Sequence, residues 1–325
     1  MTLRTYVIRR ILIIIPIFFL ITVLIFFMVY AAPGDPSRML VGEKGRVPPE
    51  RVEEFIKKWG LDQPVYIQYI LWVGRLLQGN LGYSFRNNKP VIVVIGERLQ
   101  LTLELMISAE IISIIIAIVL GVIAAVKHYS IFDGTASVAA LIGYSTPNFW
   151  LALMLILFFA ENLRWFPAGG TFTQGISFPT PFHATMDHLE HLILPVTVLV
   201  LGWTAYLFRM VRASMLEVLG QDYITTARAK GLKERVVIYK HALRNALLPV
   251  ITYEGFSIGY LFAGAAVIEY IFGWTGLGHF FVEMTNLRDY PSVIGLSVII
   301  AIMVLLSNLV ADIAYALADP RIRYD

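Results

Sequence analysis

The stretch QDYITTARAKGLKERVVIYKHALRNALLPVIT, Gln221–Thr252, is a basic segment set between two long apolar runs. From Arg209 to Leu247 there are eight Lys/Arg (Arg209, Arg212, Arg228, Lys230, Lys233, Arg235, Lys240, Arg244) against three acids, Glu217, Asp222 and Glu234. In a multi-spanning membrane protein the positive-inside bias puts such a loop on the cytoplasmic face. Its pattern predicts a helix, a glycine and a second helix. In the first half Tyr223 and Ala227 fall four apart, as do Ile224 and Arg228. Gly231 supplies the left-handed backbone that a helix stop favours. In the second half Val236, Tyr239, Lys240 and Leu243 share one face, and Pro249 marks entry into the next apolar run. A bent helical elbow on a membrane face is a shape for gripping a cytosolic partner. The competing reading is an interfacial helix lying on anionic lipid, for which a glycine-broken pair is poorly built.

The rest of the chain supplies the membrane. Its 325 residues are 58% hydrophobic and 15% charged, with mean hydropathy +0.71, whereas a soluble domain carries about 25% charged residues. A net charge of +3 is too small to argue for nucleic acid. The absence of cysteine excludes disulfides, thiolate catalysis and Cys-based metal sites.

Six apolar stretches approach the roughly 20 residues of a spanning helix: about Ile11–Tyr30, Leu103–Val126, Val138–Ala160, Leu192–Met210, Leu248–Ile268 and Val293–Leu317. The first follows Arg4, Arg9 and Arg10, like a signal peptide, but its uncharged run is too long for a cleavable core and reads as a retained anchor. The expected fold is an all-α polytopic membrane protein with six transmembrane helices and both termini inside. The basic residues agree. Short segments assigned inside hold most of the Lys/Arg outside the long loop, while the two short outer loops hold only Arg164 and Arg288. The long outer loop, about Ala31–Arg98, reads as folded. Pro48-Pro49 opens a helix with Val52, Phe55, Ile56 and Trp59 on one face, closed by Gly60. A second helix is expected from Pro64 to Leu77, closed by Gly79-Asn80.

Several motifs occur in order along the chain: AAPGDP at Ala31–Pro36, GLDQPVYIQYILWVGRLLQGNLGYS at Gly60–Ser84, the elbow run YITTARAKGL, RDYP at Arg288–Pro291 and DPRIRY at Asp319–Tyr324. Together they resemble a membrane-spanning permease subunit of ABC importers, in the dipeptide/oligopeptide/nickel group, over nearly the whole length. The elbow resembles the loop known in binding-protein-dependent permeases as the EAA motif: Glu-Ala-Ala, three residues, then Gly. Counting back from Gly231 places Thr225, Thr226 and Ala227 at the first three positions, so only Ala227 and Gly231 keep the named residues. Thr275 in GWTGLG departs from a frequent proline.

The resemblance implies three parts: 1–30, an N-terminal cytoplasmic segment and first transmembrane helix; 31–98, an extracytoplasmic loop domain; and 99–325, a permease core of five transmembrane helices with its coupling loop at about 212–247. It implies a prokaryotic cytoplasmic (inner) membrane location, a homologous second permease subunit, two cytosolic ABC ATPase subunits and an extracytoplasmic substrate-binding protein. The chain has no GxxxxGK[ST] phosphate loop. ATP and Mg therefore belong to the partner ATPases, and no cofactor or metal to this non-catalytic subunit. The ATPase-coupling residues would be Asp222, Tyr223, Thr225, Thr226, Ala227, Arg228, Ala229, Lys230, Gly231 and Leu232. The group name suggests di- or oligopeptides as substrate; relatives in the group carry oligosaccharides, nickel or glutathione. A stand-alone channel or secondary transporter would need visible repeats with broken helices, and an intramembrane enzyme a motif such as HExxH or GxSxG; neither is found.

Ionisable residues inside apolar runs are functional candidates by default. Glu110 must face the bundle or a cavity; Glu104 lies nearer the outer end; Asp312 lies near the inner end. Each could line a pathway or form a structural pair. Glu269, in VIEYIFGWTGLG, reads as a structural cap or a pathway residue. Pro147, followed by Asn148 in YSTPNFW, should kink the third span and could serve as a hinge. Phe149, Trp150, Trp165 and Phe166 read as interface belts. His183, His188 and His191 cluster in an outer loop without metal spacing.

Overall fold

The computed structural model describes residues 3–31 and 62–318. The helix expected after Pro48-Pro49, most of the AAPGDP motif and the terminal DPRIRY lie outside the described residues. Helices dominate: α1 Leu3–Ala31, α2 Val65–Leu76, α3 Val91–Val126, α4 Ile131–Ser145, α5 Asn148–Leu155, α6 Pro181–Leu219, α7 Asp222–Ala229, α8 Glu234–Val236, α9 Leu243–Ala246, α10 Leu248–Leu261, α11 Ala266–Ile271, α12 Leu277–Asn286 and α13 Tyr290–Ala318. Two π-helical stretches, Ile156–Asn162 and Val237–Ala242, follow α5 and α8. Among the described residues β pairing is confined to the Tyr83–Pro90 bridge.

The helices α1, α3, α6 and α13 are long and apolar enough to cross a membrane, and the bent pair α4–α5 makes a fifth candidate if it is one span. Two of them outrun by the most the apolar stretches that announce them. Helix α3 has 36 residues and α6 has 39, because Glu97, Arg98, Glu104, Asp187 and Glu217 suit a helix wherever it leaves the hydrocarbon. The third stretch bends by 100°. Proline disfavours helical backbone in the residue before it, and Thr146 is extended at φ −79°, ψ 124°; Pro147 follows at φ −62°, ψ 128°. The fifth stretch is also divided. Helix α10 has 14 residues, a rise of about 21 Å, and the chain turns at Phe262–Ala265, with Gly264 at φ 70°, before α11.

The chain forms two compact units. One gathers α1, α2, α3 up to Thr102, Phe262–Ala266 and the chain from Gly276 on. Here α1 packs along α13, and Arg10 Nη1 reaches Asp312 Oδ2 at 3.1 Å. The expected helix after Pro64 is present as α2. Its Tyr69 and Trp72 pack on Phe26 of α1 with ring centroids 5.5 and 5.6 Å away. Asp289 of the RDYP motif is buried; it accepts from Ser84 Oγ at 2.6 Å and from the Arg86 amide at 3.1 Å. The motif is thus a structural tie to the loop that precedes α3.

The other unit runs from Leu103 to Leu261 and adds Val267–Thr275. Its core joins Ala117, Val122 and Ala125 of α3 to Leu207, Phe208, Val211 and Met215 of α6. A Cβ at Gly121 would stand 2.7 Å from Val211 Cγ1, so the glycine sets how closely α3 and α6 approach. The Ser130 hydroxyl caps α4 by accepting from the Asp133 amide. The Asp133 side chain, 5% exposed, takes two hydrogen bonds from the Arg212 guanidinium, Nη2 to Oδ2 at 2.8 Å.

Candidate functional site

The basic segment folds as the glycine-broken elbow its spacing predicts. Helix α7 begins after Gln221 and ends at Lys230 in a hydrogen-bond pattern that requires a left-handed residue. The Gly231 amide donates to Arg228 O at 2.9 Å and the Leu232 amide to Ala227 O at 3.4 Å. Gly231 itself sits at φ 77°. A Cβ there would meet nothing within 4 Å. Backbone conformation is therefore the reason for glycine at this position, since β-carbon-bearing residues rarely adopt that φ.

Both arms of the elbow are anchored. Ile224 and Ala227 from α7 and Val237, Ile238, Ala242 and Ala246 from the second arm are buried in one cluster with Phe208, Val211 and Met215 of α6 and Val250 of α10. Two side-chain links cross the bend, and a third lies within α7. Arg228 Nη2 lies 2.8 Å from Glu234 Oε1, Asn245 Nδ2 donates to the Tyr223 hydroxyl at 2.8 Å, and Thr226 Oγ1 donates to Asp222 O at 2.9 Å. The hydrogen bonds from Arg228 hold the Glu234 carboxyl below the usual carboxylate range. Glu234 in turn pushes the Arg228 guanidinium up. Both groups are exposed, so this pair orients the bend more than it stabilises it.

The second arm differs from its periodicity in one respect. Val236, Tyr239 and Lys240 do share a side, but it is the exposed side, while Val237, Ile238 and Ala242 are buried. The π turn adds a residue to the repeat and rotates the buried face away from the 3.6-residue pattern.

Of the candidate coupling residues, Asp222, Tyr223, Thr225, Thr226, Arg228, Ala229, Lys230, Gly231 and Leu232 are exposed along the crest of the elbow; Ala227 is buried beneath it. Tyr223 is 43% exposed, Leu232 41% and Tyr239 55%. Apolar side chains raised on a polar ridge are suited to contact another protein. The ridge continues into α10 through Leu247, with Pro249 in the first turn, where its missing N–H leaves no bond unmade.

The other candidates are scattered. Asp312 is taken up by the ion pair with Arg10. Glu269 is fully buried in α11, where its carbonyl accepts from the Trp274 amide at 2.8 Å. Pro147 and Asn148 sit at the bend between α4 and α5. The Asn148 side chain lies over Gly202 of α6, where a Cβ would stand 3.2 Å from Asn148 Oδ1. Phe149, Trp150 and Trp165 are exposed.

Glu104 is partnered by His188, whose Nε2 lies 2.9 Å from it. The other ring nitrogen, Nδ1, lies 2.8 Å from Thr171 O. The His188 ring stacks on Phe172 with centroids 4.7 Å apart. His191 Nδ1 lies 2.7 Å from Asp187 O, and His183 pairs with Thr180 at the start of α6. Among the described residues no three His, Cys, Asp or Glu converge on a possible metal position.

Glu110 lines a cavity of about 150 Å³ together with Ser257 and four aromatic side chains, Trp203, Tyr206, Tyr253 and Tyr260. Glu254 of α10 lies against it. Glu254 stands inside the fifth apolar run, as Glu110 does inside the second. The signal was present, since an ionisable residue inside an apolar run is itself a marker.

Two family models match the chain. The binding-protein-dependent transport system inner membrane component model matches residues 117–324, and the N-terminal model of such membrane components matches residues 3–106. The oligopeptide transport system permease protein AppB of Bacillus subtilis is 46% identical over 320 residues, covering 98% of this chain and 99% of its own. The dipeptide transport system permease protein DppB of Escherichia coli K12 is 41% identical over 335 residues, covering 98% of each. The di/tripeptide permease protein DppB of Pseudomonas aeruginosa is 41% identical over 333 residues, covering 98% of this chain and 99% of its own. With these matches, its membrane-length helices and its elbow, the chain belongs to the family of binding-protein-dependent transport system inner membrane components, the non-catalytic, multi-pass permease subunits of ABC importers.

Proposed function

We propose that this chain forms half of the translocation pathway of an ATP-driven importer of di- or oligopeptides, in the inner membrane of a bacterium. The observation that carries the reading is full-length similarity to permeases named for oligopeptide, dipeptide and di/tripeptide transport. A homologous permease subunit supplies the other half, and an extracytoplasmic binding protein delivers the peptide. Two cytosolic ATPases, which hold ATP and Mg, dock on the elbows of the two permease subunits. The chain crosses the membrane six times with both termini inside, α4–α5 and the α10–α11 region being bent spans, and 31–98 forms an extracytoplasmic domain.

Coupling follows from the elbow's build. The crest carrying Tyr223, Thr225, Thr226, Arg228, Lys230 and Leu232 rests on Ile224, Ala227, Val237 and Ala242, which are packed against α6. A close-packed core passes on displacement instead of absorbing it, so an ATPase that closes on ATP moves α6 and α10 with the crest. This is a two-state element biased from a distant site.

The test is co-expression with the partner permease and ATPases, purification, and uptake of a labelled tripeptide into proteoliposomes with the binding protein present. A discrete complex with ATP-dependent peptide uptake is the expected result. A transport-competent particle containing this chain alone overturns the importer reading. A competent complex that carries only oligosaccharide or nickel overturns the peptide.

A further inference from the structure

The cavity that holds Glu110 has an unusual combination of walls. Four aromatic side chains, Trp203, Tyr206, Tyr253 and Tyr260, line it, and the Tyr206 and Tyr253 rings stand 4.9 Å apart between centroids. Beside the tyrosine hydroxyls and the Trp203 indole its polar groups are Glu110 and Ser257, and no Lys, Arg or His is among its lining residues. Glu254 is within hydrogen-bonding reach of Glu110. One of its oxygens, Oε2, accepts from Ser257 Oγ at 2.9 Å. The other, Oε1, is sealed from solvent with no hydrogen-bond partner among the described residues. The cavity therefore has one carboxyl on its lining, a second beside it, and no cationic side chain among its lining residues.

We propose that this cavity binds a primary ammonium group: the free amino terminus of a transported peptide, held by the Glu110 and Glu254 carboxylates and faced by the aromatic rings. The inference rests on the peptide reading above and assigns one end of the substrate to named residues. Three arguments select this ligand. Two neighbouring carboxylates in a low-dielectric site repel each other, and a cation between them turns repulsion into attraction. An ammonium carries three donors and no acceptor, which suits Glu110, Glu254 and a neighbouring hydroxyl. Aromatic faces attract a desolvated cation. An anionic group, such as a peptide's carboxyl terminus, is disfavoured on the same grounds. The volume of about 150 Å³ is below the roughly 300–1,000 Å³ of a pocket for a whole drug-sized ligand. It suits one terminus and leaves the rest of a peptide outside. Glu254 also lies on α10, which continues from the elbow, so movement of the elbow changes the spacing between Glu254 and Glu110.

The experiment uses the assembled importer in nanodiscs without its binding protein, with tri-alanine, N-acetyl-tri-alanine and propylammonium as probes, read by isothermal titration. Tri-alanine and propylammonium are expected to bind at least about ten-fold more tightly than the acetylated peptide. Glu110→Gln and Glu254→Gln should each remove that preference, and Glu110→Asp should retain part of it. Trp203→Leu should weaken propylammonium. Equal binding of free and acetylated peptide, no binding of propylammonium, or an undiminished preference in both Gln variants overturns the proposal. If a Gln variant fails to assemble, the comparison of free with acetylated peptide on the unmodified complex still decides. Peptide uptake with the binding protein is measured separately. Ammonium binding without peptide uptake rejects the peptide reading and keeps the cation site; uptake without an ammonium preference rejects the site and keeps the reading.

Discussion

Gly231 holds φ 77° with open space where a side chain would stand. Substitution there is opposed by backbone strain and not by collision. A β-branched residue costs about 1–2 kcal/mol in that conformation, or the bend opens and the crest moves. Gly231→Val should therefore insert and assemble at near-normal levels yet lose substrate-stimulated ATP hydrolysis and uptake. Gly231→Asn should keep most of both, because asparagine tolerates the left-handed region, and Lys233→Gln should change little. The measurement is ATPase stimulation and uptake on equal amounts of assembled complex; normal coupling in the valine variant would show that the elbow is not the transmission joint. The Asp133–Arg212 pair makes a different kind of prediction. Asp133 is 5% exposed on its side chain, so Arg212→Ala strands a carboxylate and should destabilise the unit by about 3 kcal/mol. The readout is the thermal unfolding midpoint of the purified complex. Asp133→Asn in the Arg212→Ala background should recover part of the loss, and additive losses would mean the pair is not coupled.

The elements most altered by packing are those broken within an apolar run. The bend between α4 and α5 has a local cause in Thr146-Pro147 and a tertiary neighbour in Gly202, which lies against Asn148. Spin labels on cysteines replacing Val138 and Leu157, both exposed, separate the two. A straight helix would place them about 28 Å apart along its axis, and the 100° bend brings them closer. Pro147→Ala should lengthen that distance by several ångströms. An unchanged distance would assign the bend to the packing of Asn148 on α6. The elbow was legible from its spacing: two four-residue repeats, a glycine and a dense positive charge predict helix, stop and helix. The π turn at Val237–Ala242 was not, because inserting one residue into a helical repeat leaves no local mark when the residues on either side are all helix-compatible.

At the scale of the whole molecule, orientation in the membrane decides which loops meet which partners. In this cysteine-free chain, Asn87→Cys should react with an impermeant thiol reagent added to intact cells, and Lys233→Cys only after the membrane is opened. Labelling of Lys233→Cys in intact cells would reverse the orientation. The sequence alone determined the membrane class, the basic elbow and its glycine, the bend at Pro147 and the resemblance to importer permeases. Hydrophobic runs, charge bias and backbone conformation are local properties, and each is written in neighbouring residues. Only the tertiary structure decided what Glu110, Glu104 and Asp312 do. The same signal, an ionisable residue in an apolar run, ended in a carboxylate-lined cavity for the first, a pair with His188 for the second and an ion pair with Arg10 for the third. A buried charge is settled by whatever distant segment is folded against it. That partner is fixed by how α1 packs on α13 in one unit and by how α3, α6 and α10 pack in the other, and no spacing along the chain encodes it.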